Sequence, residues 1–347
     1  MKVAMLAPIA WRTPPRHYGP WELVTSLLTE ELVRQGVDVT LFATADSVTA
    51  AKLEAVVPAP YSEDPTVDAK VWELRHLAHL FDRAGEFDLI HNQADFPAHA
   101  FSRLVQTPVV TTIHGFSSDR ILPMYAPYAD RVHFVAISAA DRHPALPYAA
   151  TIHHGIRMEE FAFDARGSEG LLYFGRIHPD KGAAEAIAVA KACGRRLNLY
   201  GIVQDQDYFE REVKPSCDGQ QIVFHGPVGG SERVRALGGA RALLHLINFD
   251  EPFGLSVAEA MACGTPVIAV RRGSMAELID DGVTGFLVNN ADDAVAAVER
   301  AGQLDRQQVR EEAVRRFSVA RMAAEYRRLY HAIVAEGLQP GEQLPAA

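Results

Sequence analysis

Two short segments of this chain carry residue types and spacings suited to holding a polyanion and a polyol. The first is Gly175-Arg176-Ile177-His178-Pro179-Asp180-Lys181-Gly182. It follows the apolar run Gly170–Gly175 and precedes a helical segment beginning near Ala183, so Arg176 and Lys181 bracket a loop at a strand's C-terminal end. Two cations there are placed to bind a diphosphate and to stabilise charge as it departs; a solvated Arg and Lys on a surface loop is the plain alternative. The second is Asp250–Gly264, DEPFGLSVAEAMACG. Pro252 and Gly254 predict a tight loop, and the helix after it leaves the backbone N–H groups of Phe253, Gly254 and Leu255 at its N-terminus, suited to sugar hydroxyls or phosphate oxygens. Glu251 and Glu259, eight residues apart, can accept hydrogen bonds at two ends of one extended ligand. Single residues add to these segments. His114 closes the run Pro108–His114 and is a candidate acid/base or sugar-contacting group. The paired His153 and His154 lack a third metal ligand at suitable spacing, and Asp205-Gln206-Asp207 reads as a solvated helix start.

The elements that must position these groups alternate. Apolar, β-branched runs occur at Lys2–Ala7, Val37–Ala43, Asp88–His91, Pro108–His114, Val132–Ser138 and Ala150–His153, and again at Gly170–Gly175, Leu197–Gly201, Gln221–His225, Ala242–Ile247, Pro266–Val270 and Gly285–Val288. Runs apolar on both faces are what parallel strands covered by helices require. Between them lie helical segments such as Glu22–Gln35, Ala183–Cys193 and Ser256–Cys263. Two successive sets predict two doubly wound α/β domains, residues 1–155 and 165–318, joined through the polar stretch Ile156–Glu169. Ligands of such sheets lie outside the C-terminal strand ends, so a cleft between the domains is expected. The last helix, Val319–Val334, comes after the final strand and is free to dock on either domain, and Leu338–Ala347 is expected to be a disordered tail.

The first-strand loop, Pro8–Pro20, narrows the ligand. It contains one glycine, Gly19, and neither GxGxxG nor a Walker loop, so the usual cradles for a dinucleotide or for ATP hydrolysis are missing. Across 347 residues, 34 Lys and Arg against 44 Asp and Glu give a net charge of −10. The charge is even: 12 against 17 in residues 1–155 and 22 against 27 beyond, −5 in each part. That disfavours a nucleic-acid partner and gives no strong membrane signal. Cys193, Cys217 and Cys263 form no CxxC pair, and no run approaches a membrane span, which suits a cytoplasmic protein.

Taken in order, these motifs resemble the retaining glycosyltransferases of family 4, of GT-B fold. Pro14-Pro-Arg-His-Tyr-Gly19 resembles PPxxYGG, and Thr112-Ile-His114-Gly115 resembles the T-x-H segment. Gly175 to Gly182 resembles GRxxPxKG, Glu251 to Glu259 is the E-x7-E pair within EPFGLxxxEAMACGTPV, and Gly282–Val288 resembles the closing dGxtGflv. The resemblance implies sugar transfer from a UDP- or GDP-linked hexose to a hydroxyl of a small-molecule or saccharide acceptor, without a metal cofactor. The donor would lie on the C-terminal domain and the acceptor mainly on the N-terminal one, with the last helix crossing back to it. By the same resemblance Glu251 binds donor-sugar hydroxyls and Glu259 the ribose. Arg176 and Lys181, with Gly175 before them, hold the diphosphate. Phe253, Gly254 and Leu255 offer amides, Gly19 approaches the phosphate, His114 contacts the sugar near C6, and His225 to Val228 lie beside the base. Pro20 stands where the family has a second glycine and removes one N–H from that loop. A sugar-nucleotide epimerase and a non-catalytic nucleotide-sugar-binding protein are the competing readings.

Overall fold

A computed structural model describes residues 1–64 and 66–345. The chain divides into two compact units, residues 1–155 with 319 onward, and residues 156–318. The first holds a seven-stranded parallel sheet of β1 (Lys2–Leu6), β2 (Asp38–Thr44), β3 (Lys52–Val57), β4 (Leu89–Asn92), β5 (Val109–Ile113), β6 (Val132–Ala136) and β7 (Tyr148–Thr151), in the order β3-β2-β1-β4-β5-β6-β7. The second holds β8 (Leu171–Phe174), β9 (Leu197–Tyr200), β10 (Ile222–Gly226), β11 (Ala242–His245), β12 (Val267–Val270) and β13 (Gly285–Val288), in the order β10-β9-β8-β11-β12-β13. Both are parallel and doubly wound, the Rossmann-like pair expected of the α/β, GT-B class. The central strands are covered on both faces: Val3 to Leu6 and Val109 to Ile113 are buried throughout.

All twelve expected strands form. The thirteenth, β3, is an edge strand on which Lys52 is exposed and Leu53 to Val56 only half-buried. Its Glu54 pairs with Lys52 at 2.8 Å and Arg83 at 2.7 Å. A strand covered on one side lacks the continuous apolar run that marks the others.

Two boundaries differ from expectation. The second unit begins at Ile156 rather than 165, because the polar stretch is packed, not a linker. Ile156 N–H donates to Phe317 O at 2.8 Å, Asp164 N–H to Cys263 O at 3.1 Å, and Arg306 Nε to Asp164 O at 2.7 Å. Backbone carbonyls there are satisfied by arginines from the helix Arg306–Phe317, which polarity along the chain does not reveal. The tail is pinned as well: Leu338 N–H donates to Ala332 O at 2.9 Å, and Leu344 N–H to Ala149 O at 2.7 Å. Ala346 and Ala347 lie outside the described residues.

The helix Val319–Val334 lies in the first unit. Its buried face carries Met322, Tyr326, Leu329, Tyr330 and Ile333, and Tyr326 and Tyr330 reach side chains of β5 and β4. The helix Pro20–Arg34 starts two residues earlier than its apolar spacing suggests, with Pro20 at the first position. Proline suits that position, since its missing N–H is one of the helix's unpaired donors anyway. The departure at Pro20 therefore starts the helix without breaking the loop.

Candidate active site

In the second unit, Lys181 is placed by its neighbour Gly182. That glycine has φ +72°, and a Cβ there would stand 1.8 Å from Leu246 O. The loop thus lies against the chain leaving β11, and Asn248 staples it, its N–H donating to Asp180 O at 2.8 Å and its Nδ2 to Pro179 O at 3.2 Å. Glu251 is seated from its other side. A Cβ on Gly273, φ +51°, would meet Glu251 N and O at 2.4 Å, and Ser274 N–H donates to Glu251 O at 2.9 Å. These approaches bring Lys181 Nζ within 2.7 Å of Glu251 Oε2, with about 15% of either side chain exposed. Lys181 Nζ also lies 4.4 Å from the Phe249 ring centroid, in cation–π contact.

His245, the last residue of β11, places Nε2 3.7 Å from Glu251 Oε2, beyond hydrogen-bond distance but facing the carboxylate. Burial acts to raise the Glu251 pKa; His245 and Lys181 outweigh it and bring the carboxyl down to about 2. Glu251 is therefore an anion with lone pairs to spare, and Lys181 a cation with N–H donors beyond the one Glu251 takes. A carboxyl depressed in the folded state contributes stability above its unfolded pKa and loses it as pH falls through the folded one. Glu251→Gln is accordingly expected to cost on the order of 3 kcal/mol near neutrality. In urea titrations at stepped pH, that cost should fade between about 4.5 and 2. A constant difference across that range would contradict the ion pair.

Immediately after this cluster the helix Leu255–Ala262 begins at Gly254, with no side chain capping it. The first-turn N–H groups have no partner within the helix. Phe253 contributes backbone only, its ring being 2% exposed and set edge-on against Phe317 at 5.9 Å. Glu259, one turn on, is buried and paired with Arg233 of the helix Gly230–Gly238. Burial raises its pKa against the pull of that guanidinium.

Arg176 does not join the Lys181–Glu251 pair. Its guanidinium donates to the Gln204 side chain, and its carbonyl accepts from Tyr173 OH at 2.6 Å. Gly175 gives its carbonyl to a close approach, 1.7 Å from where a Gly201 Cβ would be. Val228 is half-buried in the turn after β10. Nearby, His225 stacks on Tyr200 with centroids 4.4 Å apart and donates from Nε2 to Asn198 Oδ1 at 2.9 Å. Asp205 caps a short helical turn by accepting from Tyr208 N–H at 2.9 Å, the helix start expected of it. Among the described residues, no group of three His, Cys, Asp or Glu is arranged around a metal position.

In the first unit, His114 sits just past β5, 8% exposed. Its ring stacks on Trp21 at 5.3 Å and lies 5.3 Å from the His154 ring. Burial lowers its pKa to about 3, so the imidazole is neutral. Gly19, φ +153°, ends the loop beneath the helix Pro20–Arg34, where a Cβ would strike Pro15 at 2.9 Å and Trp11 at 3.1 Å. Glu22, in the helix's first turn, is 3% exposed and accepts from Trp11 N–H at 3.2 Å. Burial raises its pKa despite the backbone donors.

His245, Arg233, Glu22 and Gln93, the partner of His114, are not among the residues that the sequence motifs point to. His245 has a findable signal, because it occupies the strand-end position that marks His114. Arg233 and Gln93 carry no local signal; their partners are 26 and 21 residues away in the chain.

Comparison with known proteins gives this arrangement a class. The protein is similar to two solved structures of nearly equal extent. One is a sucrose-phosphate synthase from Thermosynechococcus elongatus (18% identity, TM-score 0.76, covering 97% of this chain and 100% of that one). The other is Anabaena HepE in complex with UDP and glucose (20% identity, TM-score 0.72, 97% and 100%). At these identities the likeness establishes the fold, GT-B. Residues 160–316 match the family Glycosyl transferases group 1, and residues 22–160 match Glycosyltransferase Family 4. The chain belongs to the group 1/family 4 glycosyltransferases. Among curated relatives, the glycogen synthase of Mycobacterium tuberculosis is 28% identical over 236 residues, 59% of this chain. The match spans little more than half of that relative's length, 57%. Among the described residues, no helix is long and apolar enough to cross a membrane.

Proposed function

We propose that this protein transfers a hexose from a nucleotide-diphosphate sugar to a hydroxyl acceptor with retention of anomeric configuration and without a metal cofactor. The observation that carries the reading is the Lys181–Glu251 pair beside the uncapped helix start at Gly254. It offers a cation with spare donors, backbone amides for phosphate or hydroxyl oxygens, and an anion for sugar hydroxyls. The UDP and glucose bound in the HepE structure support a uridine diphosphate donor. In this reading the second unit holds the donor: Lys181, with Arg176 once it leaves Gln204, on the diphosphate; Glu251 on the sugar; Glu259 on the ribose; and Val228 beside the base. The first unit takes the acceptor, with Gly19 approaching the phosphate and His114 the sugar near C6.

The acceptor hydroxyl attacks the anomeric carbon from the face the diphosphate leaves. The new C–O bond forms as the old one breaks, and the hydroxyl proton passes to the departing phosphate oxygen. Lys181 and the amides stabilise the charge that grows there. His114, neutral, contributes a hydrogen bond and no charge.

The test is a thermal-shift panel with UDP, GDP, ADP and dTDP, each with and without EDTA. A nucleotide at 100 times its Kd is expected to add about 2.7 kcal/mol of stability, and the shift should persist in EDTA. If none of the four stabilises the protein, the donor site is wrong; if EDTA removes the shift, metal independence is wrong. Product anomers read by NMR then decide retention.

A further inference from the structure

Behind His114 lies a buried polar chain that crosses the first unit to its last helix. His114 Nε2 is 2.6 Å from Gln93 Oε1. The amide nitrogen of Gln93 lies 3.1 and 3.4 Å from the two ring nitrogens of His91, and 3.7 Å from Met5 Sδ. His91 is held in turn by Tyr330 OH at 2.6 Å on Nδ1 and Thr112 Oγ1 at 2.8 Å on Nε2, and Thr112 Oγ1 meets Tyr326 OH at 2.7 Å. Gln93, His91 and Thr112 are 0–1% exposed.

This geometry orients the Gln93 amide. An atom that close to both nitrogens of one imidazole cannot lie in the ring plane without colliding with the carbon between them. The amide nitrogen therefore sits over the His91 ring face, while Tyr330 and Thr112 engage the ring nitrogens at its edge. A π face attracts an N–H and repels a carbonyl oxygen, and Met5 Sδ likewise accepts rather than donates. The amide NH2 thus points to His91 and Met5, and Oε1 points to His114. An oxygen accepts, so His114 Nε2 must carry the proton. Its Nδ1 then carries the lone pair, and that atom is buried with no hydrogen-bond partner among the described residues. The neutrality of His114 leaves the ring one proton to place, and Gln93 decides where.

We propose that Gln93 is a positioning residue that locks His114 in the Nε2–H tautomer, so that the ring's lone pair, and with it any hydrogen bond the ring accepts from a substrate hydroxyl, is at Nδ1. The role of the hydroxyl rests on the transferase reading above; the tautomer does not. In the wrong tautomer His114 would point an N–H at a hydroxyl whose proton then has no acceptor there. The tyrosines of the last helix take part by holding His91, whose face orients Gln93.

The experiment is imidazole ¹⁵N NMR on the full chain, with the His114 signals assigned by their loss in His114→Asn. Wild type is expected to show a protonated Nε2 and a pyridine-type Nδ1; the opposite pattern overturns the proposal without any variant. Gln93→Glu keeps an oxygen acceptor and should keep the tautomer. Gln93→Leu should let both tautomers appear and lower sugar turnover by about tenfold or more, the scale of losing a group that orients a functional imidazole. Binding of UDP, read by thermal shift, should be unchanged in Gln93→Leu. An unchanged tautomer ratio in Gln93→Leu removes the positioning role. A wild type that binds no nucleotide counts against the transferase reading, while the tautomer result stands separately.

Discussion

Replacing Lys181 by alanine is expected to lower turnover by about 100-fold or more, the usual consequence of removing a group that stabilises charge on the leaving atom. Two effects combine. The ammonium that meets the departing diphosphate is gone, and Glu251, only 14% exposed, loses the partner 2.7 Å away. Its carboxyl, held at about 2 by His245 and Lys181 against burial, should then titrate higher. Lys181→Met separates the causes, because it keeps the stem and removes only the charge. Equal losses in both variants would assign the effect to the ammonium. Turnover within about threefold of wild type in Lys181→Ala would exclude the leaving-group role, since such contacts carry several kcal/mol. Arg176→Ala should cost less, because that guanidinium is engaged with Gln204 and stands apart from the pair.

Gly182→Ala is expected to be strongly destabilising, a single methyl added where the second unit's site has no room for it. The new Cβ would lie 1.8 Å from Leu246 O and 2.5 Å from Leu246 C. Both are backbone atoms at the end of a central strand, so neither can step aside as a flexible side chain would. Overlap of that kind, added to a left-handed φ of +72°, should cost about 3 kcal/mol or more in urea denaturation. Gly194→Ala is the control: φ is +63°, but nothing lies within 4 Å of its Cβ position. It should cost only the backbone term, about 1–2 kcal/mol. If the two variants lose equal stability, the close packing of this loop on β11 is not what seats Lys181. In Gly182→Ala any residual folded protein should also bind nucleotide more weakly, because the loop that carries Lys181 is pushed off its seat.

The places where sequence pattern and structure part company share a cause. The edge strand β3 alternates charge with apolar residues because one side is open, so no continuous run announces it. Ile156–Glu169 looks like a linker because its polarity is visible along the chain, whereas Arg306 and Arg310, which satisfy its carbonyls, come from a helix about 150 residues later. The tail looks unstructured for want of apolar periodicity, yet hydrogen bonds from Leu338 to the last helix and from Leu344 to the edge strand β7 pin it. Local composition reports what a segment prefers, not what distant chain arrives to meet it.

Sequence alone determined the two doubly wound sheets, since strands buried on both faces must be continuously apolar and the helices between them must be amphipathic. It also determined that Lys181 and Glu251 end up at C-terminal strand ends, because each comes directly after a strand and leads into a helix. Tertiary structure decided how those groups are engaged. Lys181 meets Glu251 across 70 residues of chain, His245 supports the same carboxylate, and Arg176 is turned toward Gln204. It also decided that Glu259 is buried against Arg233 and that His114 leans on Gln93. Strand and helix patterns are read within a dozen residues, but a charge or a proton takes its state from neighbours in space. Those neighbours exist only once the sheets have brought distant loops together.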